Sequence, residues 1–139
     1  MKKINKNEKG FSLVELIIVI AIMAVLVGVL APQYIRYVEG SRVVADENMI
    51  DEFSNVLITL ATESEFSMDH DISIRFDSDG VVKYTDTDLT SNSLFDVFTQ
   101  LVDTSKTYQL KSATYKGKLQ EIKLVCTDGV YSVRLVYYE

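Results

Sequence analysis

The stretch Phe11-Ser-Leu-Val-Glu-Leu-Ile-Ile-Val-Ile-Ala-Ile-Met-Ala-Val-Leu-Val-Gly-Val-Leu-Ala-Pro32 decides how this chain is built. From residue 16 to residue 31 it contains no polar side chain. As an α-helix, residues 11–31 span about 31 Å, close to the thickness of a bilayer's hydrocarbon core. The run is apolar on every side, so it is not the amphipathic helix of an ordinary soluble domain. Lys2, Lys3, Lys6 and Lys9 precede it. By the positive-inside rule that places the N-terminus in the cytoplasm and the rest of the chain outside. The segment is inserted in a membrane or exported through one.

Glu15 selects among the readings of this start. A cleavable secretory signal would explain the lysines, the apolar run and Val29-Leu30-Ala31, but Pro32 would then follow the cut and hinder the peptidase. A plain single-pass anchor explains the length and leaves Glu15 without a purpose, although an acid at mid-membrane costs about 2.5–3.5 kcal/mol. The octet Lys9-Gly10-Phe11-Ser12-Leu13-Val14-Glu15-Leu16 accounts for every residue. It closely resembles the prepilin cleavage motif of type IV pilins and pseudopilins: glycine, phenylalanine, a small polar residue, two aliphatics, glutamate, then a long apolar run ending near a proline.

The resemblance implies that a membrane aspartyl peptidase cuts after Gly10 and methylates the new N-terminus of Phe11. It implies self-assembly into a filament, with an assembly ATPase and a membrane platform protein as partners. Cleavage leaves an α-amino cation four residues before Glu15. In a bundle of staggered apolar helices, the Glu15 carboxylate would pair with that cation on an adjacent subunit, which fixes register and offsets the cost of the acid. Pro32 removes one helix hydrogen bond and Gly28 loosens the same turn, so a kink is expected near the outer end. In related filaments this segment unwinds on assembly, but the glycine often found farther upstream is Ala24 or a neighbour here.

Charge is distributed in blocks. The first ten residues carry +3, and the 129 that would remain after cleavage carry −9, against −6 for the whole chain. Residues 39–103 carry −12, and the chain from Lys106 onward carries +3. An acidic balance, with a pI near 4.8, argues against nucleic acid as the main partner. Opposite charges at two ends of a subunit suit repeated contacts between copies.

After Pro32 the pattern becomes amphipathic. Tyr34, Ile35, Val38, Met49, Ile50, Phe53, Val56, Leu57 and Leu60 recur at helical spacing, while Glu39, Arg42, Asp46, Glu47, Asp51 and Glu52 fill the other faces. This predicts one helix continuing to about residue 62, with Gly40 a soft point. A hairpin is expected from strands at 72–76 and 81–84 around Asp77-Ser-Asp-Gly80. A short helix capped by Asn92 or Ser93 would bury Leu94, Phe95, Val97, Phe98, Leu101 and Val102. Three more strands are expected at 108–115, 119–126 and 130–138, with turns at Lys116-Gly117 and Thr127-Asp128-Gly129.

The fold class is therefore α+β: a long N-terminal helix packed on an antiparallel sheet, the pilin architecture. Its parts are a leader (1–10), a membrane and polymerisation helix (11–31), its amphipathic continuation (32–62) and a β-rich head (63–139).

The head shows no catalytic constellation and no motif that calls for a cofactor. His70, between Asp69 and Asp71, reads as solvated. Cys126 shares a strand face with Ile122 and Leu124, which predicts a buried, inert thiol without a disulfide partner. The pairs Asp77/Asp79 and Asp86/Asp88 are weak candidates for calcium ligands, since Asp-x-Asp-Gly is part of a calcium loop. No closing glutamate follows, and Asp-Gly is better explained by the turn.

The expected function is a structural subunit, a type IV pilin held in the membrane by one span and then assembled into an extracellular filament; the sequence does not choose among retraction, adhesion, motility and DNA uptake as its use. A pseudopilin of a secretion or competence apparatus is the nearest alternative. A tethered or secreted binding module follows it, and an enzyme is not expected.

Overall fold

A computed structural model describes residues 10–63, 72–83 and 94–139 of the chain. Helix α1 (Leu13–Glu63) is followed by strands β1 (Ser73–Phe76) and β2 (Val82–Lys83), helix α2 (Leu94–Leu101), and strands β3 (Leu119–Thr127) and β4 (Val130–Tyr137). The strands form one antiparallel sheet in the order β2-β1-β3-β4. This is the α+β arrangement expected. The chain divides into two compact units between Val38 and Glu39.

In the first unit α1 is bare. Every large apolar side chain from Leu13 to Leu30 is more than half exposed, Leu13 at 72% and Ile17 at 51%. α1 is helical through Pro32, so the proline does not end it. Pro32 has no N–H, and the carbonyl that loses its helical donor is that of Gly28, four residues earlier. Gly40 leaves the helix uninterrupted as well.

The second unit has a core. Ile50, Phe53, Leu57 and Leu60 of α1 meet Ile74 and Phe76 of β1, Ile122 and Leu124 of β3, and Phe98 and Val102 on the α2 side. Phe53 stacks edge-on against Tyr108, with ring centroids 5.2 Å apart. Phe98 and Val102 are buried as expected, but Leu101 is 42% exposed. An eight-residue helix against one core can bury only a narrow stripe, and Leu101 lies off it. The proposed caps Asn92 and Ser93 lie outside the described residues.

The hairpin turns where expected. Gly80 has φ +75°, and a Cβ there would stand 3.0 Å from the Leu110 Cβ, so both the backbone and the close approach of residue 110 require glycine. Asp128 (φ 53°) and Gly129 (φ 78°) join β3 to β4 by two left-handed residues, the arrangement that matches strand twist.

Two further expectations fail. No strand runs from 108 to 115. Gln109 makes a single bridge to Val81, Tyr108 and Gly80 carbonyls accept from Val82 and Leu110, and residues 112–118 coil into turns. The amides that a strand would have used are taken by an acid from α1, described below. Cys126 is exposed rather than buried. It does share a face with Ile122 and Leu124, but β1 pairs with β3 only from Glu121 to Lys123, so the β3–β4 hairpin outruns its cover. The native thiol should therefore react with a maleimide about as fast as it does in denaturant; strong protection would contradict this geometry.

Candidate functional site

The sequence-predicted site residues cluster at the start of α1. Gly10, Phe11 and Ser12 are not helical, and Phe11 is 89% exposed. The helix begins at Leu13 because Ser12 and Glu15 close a reciprocal cap. The Ser12 hydroxyl accepts from the Val14 amide (3.3 Å), and the Glu15 Oε2 accepts from the Ser12 amide (2.8 Å). This Ser-x-x-Glu capping box satisfies donors that a helix start leaves without partners. It also puts a negative charge where the helix dipole favours one.

Two consequences follow. The Gly10–Phe11 peptide bond lies outside the helix, in backbone that a peptidase can bind extended. Glu15 is also not a stray acid in an apolar rod, because it already has a partner within its own chain. Ser12 was read in the sequence only as the motif's small polar residue. Its spacing from Glu15 is a cap signal that sequence reasoning missed.

Gly10 stands apart from the glycines of the turns. Its φ is not in the left-handed region, and a Cβ built on it would meet nothing within 4 Å. Among the described residues nothing asks for glycine there. Pro32 lies about 25 Å along the same helix from Glu15, so the two expected assembly residues mark opposite ends of the apolar run rather than one site.

The head has its own polar cluster, which the sequence placed on solvated faces. Asp46 is only 2% exposed. Its Oδ1 and Oδ2 share the Lys111 amide at 3.0 Å, and Oδ2 also accepts from the Ser112 amide (2.8 Å) and hydroxyl (2.6 Å). Seven residues earlier, Glu39 accepts from the Ala113 amide; next to Asp46, Glu47 accepts from the Tyr115 hydroxyl at 3.2 Å. Three α1 carboxylates therefore hold the segment 111–115 against the helix. The signal for this lay in the spacing of the acids, but their partners are more than sixty residues away in sequence.

Burial, and after it the Glu47 charge and hydrogen bond, raise the Tyr115 pKa above its ordinary value. A group whose folded pKa is raised contributes stability below its unfolded pKa and loses it as pH climbs through the folded value. The head should thus lose stability above about pH 10, and Tyr115→Phe should flatten that fall in melting curves recorded across alkaline pH. Equal slopes for the two proteins would contradict the assignment.

The candidate calcium ligands sit in a turn. Asp77 Oδ1 accepts from the amides of Val81 (2.8 Å) and Asp79 (3.0 Å), and Oδ2 lies 3.3 Å from the Lys83 ammonium. The Val81 amide foremost, with Lys83 and the Asp79 amide, holds the Asp77 carboxyl below its ordinary pKa. Both of its oxygens serve the hairpin. Among the described residues no group of three metal-ligating side chains gathers. Asp86, Asp88 and His70 lie outside the described residues.

Comparison with known families returns one finding. Residues 5–31 match the prokaryotic N-terminal methylation motif, the prepilin signature of type IV pilins. The match takes in Gly10, Phe11, Ser12, Glu15 and the apolar run, and the head lies outside it. The motif marks structural proteins that are substrates of prepilin peptidase, and with the apolar helix it fits a membrane-anchored precursor. No curated protein and no solved structure matches the chain.

Proposed function

We propose that the chain is a type IV pilin precursor, a structural subunit cut after Gly10, methylated on Phe11 and polymerised through residues 11–31 into a cell-surface filament. The carrying observation is the methylation motif joined to a helix whose apolar side chains have no cover among the described residues. Uncovered apolar surface on this scale needs lipid before assembly and other copies after it.

In this reading residues 1–10 are the leader and 63–139 the head, with α1 joining them. The Ser12 amide survives cleavage, so the capping box does too. It holds the Glu15 carboxylate in a fixed rotamer through one oxygen, and the other oxygen takes the amine of a neighbouring copy's Phe11. A prepilin peptidase, an assembly ATPase and a platform protein complete the machinery.

The decisive measurement is the N-terminal residue of the mature protein. N-methylated phenylalanine at residue 11 is the expected result, and proline at residue 32 would sink the proposal. Recovery of the protein in sheared surface filaments is also expected; a pseudopilin would stay with the cell envelope.

A further inference from the structure

Immediately beyond the apolar run the chain reads Pro32-Gln33-Tyr34-Ile35-Arg36-Tyr37. Tyr34 is 68% exposed, Ile35 67% and Tyr37 76%, and Arg36 is exposed as well. Four successive residues make one full helical turn, so this band is bare all round the helix. Among the described residues nothing covers these two tyrosines and the arginine. Aromatic side chains of this size are ordinarily buried in part against something.

We infer that Tyr34, Arg36 and Tyr37 form an interfacial belt that seats in the phospholipid headgroup layer and sets how deeply the precursor's helix sits in the membrane. This rests on the reading of residues 11–31 as a membrane span. The headgroup layer on each side of a bilayer is about 5–7 Å thick. Tyr34 lies about 4.5 Å beyond Ala31 along the helix, and Tyr37 about 9 Å beyond it. Helical side chains lean toward the N-terminus, here toward the hydrocarbon, which carries the Tyr37 ring and the Arg36 guanidinium back into the same layer. Each tyrosine has an apolar ring for the acyl boundary and a hydroxyl for water, the property that concentrates tyrosine at membrane surfaces. The Arg36 guanidinium meets lipid phosphate with paired donors.

The angular spread selects lipid over protein. A partner helix covers one face, and it would be matched by residues at three- and four-residue spacing. A band exposed around a whole turn matches a layer that surrounds the helix. In sequence Lys2, Lys3, Lys6 and Lys9 precede the apolar run, so its two ends are flanked by residues of different chemistry.

The chain contains no tryptophan, so single substitutions report without background. The uncleaved full-length chain would be reconstituted in phosphatidylcholine vesicles brominated either near the headgroup or near the chain end. Tyr34→Trp and Tyr37→Trp should lose more emission to the headgroup-side bromines. Ile20→Trp should lose more to the chain-end bromines. All three positions are exposed, so none of the substitutions disturbs a core.

Chain-end quenching at 34 and 37, or no quenching there while Ile20→Trp is quenched, overturns the belt alone. Blue-shifted emission at 34 and 37 without quenching, the sign of a second copy covering the rings, overturns it as well. Absence of quenching at Ile20→Trp removes the membrane span, and the belt falls with it.

Discussion

Asp46→Ala is expected to lower the unfolding free energy of the head by about 3–5 kcal/mol. The carboxylate is buried and receives two backbone amides and a hydroxyl. Alanine leaves the Lys111 and Ser112 amides and the Ser112 hydroxyl without an acceptor. Ser112 is itself fully buried, so water does not readily replace what is lost. Each buried donor left unpaired costs about 1–3 kcal/mol.

For a head of roughly 100 residues the midpoint of thermal unfolding should fall by about 12 °C or more. Asp46→Asn keeps the shape and one acceptor oxygen but turns an N–H₂ toward other donors, so an intermediate loss of about 1–3 kcal/mol is expected. Glu39→Ala should cost less, since its bond to the Ala113 amide is exposed. Denaturant unfolding of the full-length protein in detergent, followed by tyrosine signals of the head, measures all three. A loss below about 1 kcal/mol for Asp46→Ala would show that the clasp does not hold residues 111–115 in place.

The second large effect is expected at the helix start, where two substitutions should separate processing from assembly. Gly10→Val should leave the fold unchanged, because a side chain there meets nothing. On the proposed reading it should nonetheless leave the precursor uncut, because the peptidase would then be what requires the glycine. Glu15→Ala removes the Ser12 partner and costs about 0.5–2 kcal/mol of local helix stability. On the same reading cleavage should proceed, since the Gly10–Phe11 bond already lies outside the helix, but filaments should be lost because no acid would remain to receive a neighbour's amine. Mass spectrometry of membrane fractions and the yield of sheared filaments read the two outcomes. Efficient cleavage of Gly10→Val, or normal filaments from Glu15→Ala, would each remove one half of the reading.

What was legible in the sequence follows from the range of the interactions involved. α1 was readable to within a residue or two because its signals are local: an apolar run, then helical spacing from Ile50 to Leu60; the Ser12 cap is equally local and went unread. The hairpins were readable because Gly80, Asp128 and Gly129 adopt positive φ in turns whose chemistry is written in adjacent residues. The segment 108–115 was misread because its alternation of Tyr108, Leu110 and Ser112 suits a strand, and the residue that diverts it, Asp46, is 65 positions away. Cys126 was misread for a related reason. Alternation assigns a face to a side chain but does not say how far the neighbouring strand extends.

By itself the sequence determined the parts whose physics is carried by neighbours along the chain: a membrane-length helix, a start that matches the N-terminal methylation motif with glycine before phenylalanine, and an antiparallel head. Tertiary structure alone decided which acids are solvent-facing and which are buried fasteners. It also decided where β3 runs out of cover. The physical reason is that a side chain's spacing fixes its direction, whereas burial and hydrogen bonding depend on what arrives from elsewhere in the chain.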